Sequence, residues 1–335
     1  METTHRWRHN QCVYNVAAIQ YNLSIMNNDT LRFATILALG AALFSGVNNF
    51  LTKIAVTVSS DPIFYTTLKN ALVALFLVGL FIALRKAGEL RSLTRKQWGM
   101  LAAVGVIGGS IPFALFFTGL SMTSAINAGL IHKTLFLWVL IFAYPFLKER
   151  LSRGQLVGIF LIFLGNLFVG GFTGFKFNVG ELMILGATLF WAAENIIAKK
   201  VLVDVSSMTV VAARMVLGSL LLAAFLGVSG RMMPLADLSM LQWGWTLLTS
   251  LLLLGFVLTW YTALKHAPAT YVAALLVPAT IVTNVLSAIF VTHMLTVPQV
   301  ISAVLGIVGA GLLIYFGMRV AKTETLSATP ATSTR

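Results

Sequence analysis

Long apolar runs separated by short polar breaks dominate this chain. Ten of them lie near residues 33–58, 62–84, 98–118, 125–147, 154–173, 179–201, 207–229, 241–265, 268–291 and 298–318. Each holds roughly the twenty residues an α-helix needs to cross a hydrocarbon core, so the pattern predicts ten transmembrane helices. Some breaks, such as Ser59-Ser60-Asp61-Pro62, leave the chain no length to travel, and successive helices must run antiparallel. The ends read differently. Residues 1–31 are polar and lack the apolar core of a signal peptide. They are expected to form an unfolded or surface-lying cytoplasmic extension, with Met26 as an alternative start just before the first helix. Residues 321–335, rich in Ser, Thr and Ala, read as a disordered cytoplasmic tail.

Composition turns this pattern into a membrane assignment. Of 335 residues, 58% are apolar and 10% charged, against about 25% charged in soluble domains. Lipid must cover part of that surface, so the expected fold class is an all-α polytopic bundle, multi-pass in a plasma or inner membrane. The single cysteine, Cys12, excludes an internal disulfide and a cysteine metal site. No cofactor motif or metal cluster stands out. The net charge of +13 suggests nucleic acid, but its distribution argues against that partner. With the N-terminus inside, seventeen of the 23 Lys and Arg residues fall in cytoplasmic segments. Three (Lys53, Lys176, Arg231) fall outside and three (Lys69, Lys133, Arg214) within helices. That is the positive-inside bias, and it predicts both chain ends in the cytoplasm.

The two halves of the chain resemble each other. Gly40-Ala41-Ala42-Leu43-Phe44 matches Gly186-Ala187-Thr188-Leu189-Phe190, and at the same offset Asn49 meets Asn195 and Lys53 meets Lys199. One residue less aligns Lys69 with Arg214. One less again aligns Thr118 with Thr262, Ala125 with Ala269, Leu151 with Leu295 and Gly165 with Gly309. An ordered series at nearly constant offset predicts two five-helix repeats, 32–175 and 176–320. Five is odd, so the second copy enters the membrane from the opposite side. Inverted repeats of this kind present one central site to each side in turn, as secondary transporters do.

The most telling stretch is Phe146-Leu147-Lys148-Glu149-Arg150-Leu151-Ser152 followed by Gln155, Gly158 and Gly165, together with Thr118-Gly119-Leu120-Ser121 and Ala125, repeated as Tyr261-Thr262-Ala263-Leu264 and Ala269. These residues resemble the EamA-type members of the drug/metabolite transporter superfamily over about residues 30–320. The resemblance implies a ten-helix metabolite transporter, commonly an exporter, that works without ATP. One departure is visible: the acid that Glu149 supplies in the first repeat is His293 in the second.

Ionisable groups at membrane depth are costly and usually face a cavity. Glu194 is the one acid well inside a helix, with Trp191 one turn before it and Asn195 after it; Asn48 and Asn49 hold the matching places in the first repeat. Lys133 lies ~12 Å below the outer end of helix four at 1.5 Å per residue, beside His132, with Gly129 and Phe136 within one turn. A cation, a small residue and an aromatic wall suit a carboxylate with an apolar body. Lys133 and Glu194 are expected to line one cavity as partners, and a structural pairing of the two is the competing reading. Lys69 and Arg214 are equivalent positions that read either as gate or vestibule charges or as packing against helix carbonyls. Pro112 (after Gly108 and Gly109), Pro145 and Pro278 each remove a backbone donor and permit a bend. Gly154 and Gly158, with Ser302, Gly306 and Ala310, form small-residue stripes for close packing of helices five and ten or for a homodimer face.

These features point to a secondary carrier exporting a small organic metabolite, carboxylate- or amino-acid-like. The alternative is a proton-coupled exporter of cationic drugs using Glu194, which the surplus of core cations disfavours. No paired acids or nucleophile–base arrangement suggests an enzyme.

Overall fold

The computed structural model describes residues 28–58, 61–85, 87–168 and 174–328. The first span is α1 (Asn28–Val58) and the second α2 (Pro62–Ala83), followed by a short α3 (Ala87–Ser92). The third span is α4 (Arg95–Gly109) with α5 (Ile111–Leu120), and the fourth is α6 (Ala125–Lys133) with α7 (Leu135–Leu147). The fifth is α8 (Arg153–Leu167). The second repeat supplies α9 (Val179–Val201), α10 (Ser207–Val228), α11 (Met240–His266), α12 (Ala269–Leu275) with α13 (Ala279–Ser287), and α14 (Val297–Ala328). Among the described residues nine spans are long and apolar enough to cross a membrane, and α8, at 15 residues, is shorter. Large apolar side chains such as Ile36, Leu75, Ile82 and Leu251 stay exposed, the surface expected of a bundle that faces lipid.

Both ends of the bundle's chain differ from the pattern-based expectation. Helix α1 is already formed at Asn28, earlier than the pattern predicts, with Leu31 buried in the core and Asp29 paired with Arg32 at 4.0 Å. Helix α14 runs on to Ala328, with Ala321 fully buried. The expectations for residues 1–27 and 329–335 lie outside the described residues.

Packing follows the repeat. α1 lies against α11, as α9 lies against α4 and α5. α1 also meets α12 and α13, as α9 meets α6 and α7. The pairs α2 with α10 and α8 with α14 map onto themselves under exchange of the repeats. Nearly all the large interhelix contacts therefore join one repeat to the other, as interlocked inverted repeats require. In the α8–α14 pair a Cβ added at Gly158 would come 2.6 Å from the Gly309 carbonyl, and one at Gly309 equally close to Gly158. The small-residue stripes are used up inside the chain, which removes their use as a dimer face.

Three spans are interrupted. Span four breaks at Thr134 and span nine at Leu276–Pro278, at matching positions of the repeats. Thr134 and Leu276 bond backward by three residues instead of four, and Pro278 has no N–H to continue its helix. Span three breaks at Ser110, two residues before Pro112. Pro145, by contrast, sits within the unbroken α7.

One face of the bundle, where α1 begins and α14 finishes, is filled by a continuous core that includes Leu31, Val104, Ala143, Val201, Tyr271 and Leu313. Two side chains seal the α11–α12 corner there. Lys199 donates to the Leu264 and Ala267 carbonyls, both at 2.7 Å, capping the end of α11. Glu149 accepts from the Ala269 and Thr270 amides at 2.6 and 3.0 Å, capping the start of α12. On the opposite face the matching residues Lys53 and His293 are exposed, and smaller apolar clusters replace the core.

Candidate functional site

The site is built from a missing hydrogen bond. In a continuous helix the N–H of residue 112 would bond the Gly108 carbonyl, but Pro112 has none. Two side chains of the second repeat take the freed carbonyl: Trp191 Nε1 and Arg214 Nη2, each at 3.0 Å. Gly108 must also lack a side chain, because a Cβ there would lie 2.9 Å from the Glu194 carboxyl carbon. Next to it Gly109 and Gly218 let α4 and α10 meet backbone to backbone. The Tyr261 hydroxyl on α11 donates to Glu194, and the Arg214 charge acts on both groups. The result is a buried knot of acid, hydroxyl, guanidinium and carbonyl drawn from spans three, six, seven and eight.

This knot floors a cavity of about 310 Å³ between the repeats. Phe113, Phe116, Trp191, Phe256 and Trp260 form aromatic walls, and Asn48, Asn49, Thr52, Thr66, Lys69 and Asn70 form a polar side contributed by the first two spans. His132 also lines it, its ring 4.9 Å from Trp191 and 5.4 Å from Phe116. The Asn195 amide donates to the Trp191 carbonyl at 2.8 Å. Buried polar atoms are normally paired. Of four such atoms without a protein partner among the described residues, three belong to this lining: His132 Nδ1, Asn195 Oδ1 and Arg214 Nε. The first-repeat lining lies on the half of its spans remote from the packed core, whereas the second-repeat lining (Trp191, Glu194, Arg214, Trp260 and Tyr261) lies at the middle of its spans or nearer that core, against it.

The sequence-derived candidates divide. His132, Glu194, Asn195, Asn49, Trp191, Lys69 and Arg214 come together around the cavity. Lys133 and Phe136 do not line it. Successive helical residues point about 100° apart, so with His132 facing the cavity its neighbour turns away, and Phe136 falls into the packed core. A Cβ added at Gly129 would meet only open space, and neither Gly129 nor Lys133 lines the cavity. Glu194 is held by Tyr261 and Arg214, which corrects the expected pairing with Lys133. Tyr261, Gly108 and the first-repeat polar residues Asn48, Thr52, Thr66 and Asn70 are the functional candidates that sequence reasoning left out or underweighted. The four-residue spacing of Gly108 and Pro112 was the available signal.

Ten spans in two interlocked inverted repeats, around a half-open cavity with buried charge, define a membrane transporter. The chain belongs to the EamA-like transporter family, whose pattern matches residues 32–171 and again 178–315. It is 29% identical over 284 residues to the uncharacterized transporter YyaM of Bacillus subtilis (strain 168), covering 82% of this chain and 91% of that protein. It is 27% identical over 262 residues to the uncharacterized transporter YvbV of the same organism, covering 75% and 81%. A crystal structure of a protein with 18% identity superposes with a TM-score of 0.71, covering 86% of this chain and 98% of that one. The protein is accordingly a multi-pass cell-membrane transporter.

Proposed function

We propose that this protein is a secondary active exporter of a small organic metabolite with an acidic group, carboxylate- or amino-acid-like, working by alternating access. The observation that carries the reading is the cavity: an aromatic wall, a polar side with a cation, and three buried polar atoms unpaired by protein. Aromatic faces suit an apolar body, and amides, hydroxyls and Lys69 suit an anionic head. The charge count supports both chain ends in the cytoplasm, and in that orientation the packed core closes the inside and the cavity opens outward. The cationic-drug reading needs Glu194 free to exchange protons with substrate. Its engagement with Tyr261 beside Arg214 and the presence of Lys69 favour the anionic reading instead. Metabolite profiling of cells and medium, with and without overexpression, tests this. A carboxylate accumulating in the medium and lost with Trp191→Ala is the expected result; an organic cation exported instead would refute it.

A further inference from the structure

The pseudo-symmetry exposes an asymmetry of charge. Arg214 and Lys69 are equivalent in the two repeats, and both line the cavity. Met215 Sδ and the Phe113 ring lie against Arg214, and its polar and charged neighbours are Glu194, Tyr261 and the Gly108 carbonyl. The equivalents of those groups around Lys69 are Asn48 in place of Glu194, Phe117 in place of Tyr261, and the Leu252 carbonyl in place of Gly108. Asn48 carries no charge and Phe117 no hydroxyl. The residue matching Pro112 is Phe256, inside the uninterrupted α11, so the Leu252 carbonyl keeps its helical partner. Lys69 is 6% exposed, yet its ammonium has only a hydrogen bond to Thr52 Oγ1 at 3.5 Å and the Tyr65 ring 5.7 Å away, and among the described residues it makes no ion pair.

We infer that the carboxylate of the substrate binds Lys69, taking the place that Glu194 holds opposite Arg214, and that the open side closes only around a bound anion. The inference rests on the proposed transport function. Lys69 is already nearly buried and reaches water only through the cavity it lines; closing the open side by the symmetric motion would remove that access, and a buried cation without a counter-charge is strongly disfavoured. The packed side needs no ligand, since Glu194 supplies the charge from within. The empty carrier therefore rests open on the Lys69 side and changes sides only when loaded. Export then runs as exchange, with one anion entering for each that leaves.

The test reads closure directly. Ala198 lies one turn beyond Glu194, fully buried on the packed side. In a Cys12→Ser background in lipid nanodiscs, Ala198→Cys should react slowly with a water-soluble maleimide. Adding Lys69→Gln should speed labelling at least tenfold without ligand, because the open side no longer needs an anion to shut; Lys69→Arg should stay slow. Glu194→Gln, which weakens the packed side, should speed labelling whatever the role of Lys69. Fast labelling with Glu194→Gln but not with Lys69→Gln overturns the inference and leaves the transport reading standing. Fast labelling with neither overturns that reading itself. With Lys69 present, benzoate or phenylalanine should accelerate labelling. Acceleration by inorganic phosphate alone, or by none of the three, overturns the carboxylate assignment.

Discussion

At the scale of single residues, His132 lines the cavity and Lys133, one position on, does not, because a change of one position along a helix moves a side chain to another face. Lys133→Met should therefore leave transport of the identified metabolite within about twofold of the parent, and a loss beyond tenfold, about 1.4 kcal/mol, would return Lys133 to the pathway. Gly108 predicts the opposite. Gly108→Ala drives a methyl group into Glu194 and should cost about 1–3 kcal/mol of stability by overpacking, read as a lower melting temperature, together with at least tenfold of transport. Unchanged transport by this variant would show that the knot of Glu194, Tyr261 and Arg214 is not part of the working site. The depth of Glu194, Lys69 and Arg214 was legible in the sequence, where few ionisable residues fall inside the apolar runs, but their direction was not.

At the scale of elements, the apolar pattern located ten spans but said nothing about which prolines interrupt them. Pro112 and Pro278 do, and Pro145 does not. The consequence of Pro112 is visible only when another repeat brings Trp191 and Arg214 to the carbonyl it frees. Pro112→Ala restores the N–H, which competes for that carbonyl. The exchange should stabilise the isolated span and cut transport, so a higher melting temperature with lower activity is the expected pair. The α11–α12 corner makes a second case. Sequence similarity marked Glu149 and the divergence at His293 without a reason. The structure supplies one: Glu149 caps α12 and Lys199 caps α11 on the packed face, while the matching corner, at Ser121–Ser124, is held differently, by the Ser124 cap on α6 and by Glu181 and Asn178 at the start of α9. Glu149→Gln should lower stability by about 1.5–3 kcal/mol, the range for hydrogen bonds to a charged group. A melting temperature equal to the parent's would contradict the capping role.

At the scale of the whole molecule, the repeat was readable from an ordered series of weak matches, because interlocking requires corresponding helices to meet corresponding partners. The conformation was not readable, since the apolar pattern places the spans but not which end of the bundle is packed shut. The packed core fills the face at the start of α1 and the far end of α14; the cavity rests on that core through Trp260 and Tyr261 and reaches toward the other face along its first-repeat lining, from Ser45 to Thr52. The bias of seventeen cationic residues to three predicts that the packed face is the cytoplasmic one. Topology and resting state then make one joint prediction. In intact cells carrying Cys12→Ser, an impermeant maleimide should label Asn49→Cys, which is exposed on the cavity lining, and should leave Ala198→Cys unlabelled. A C-terminal tag should become accessible only after permeabilisation. An accessible tag in intact cells would invert the whole assignment. Labelling of Ala198→Cys with the tag still protected would keep the topology and reject the outward-open resting state. The two errors separate because charge in the loops sets orientation, whereas the knot at Gly108, Glu194, Tyr261 and Arg214 sets which side is shut.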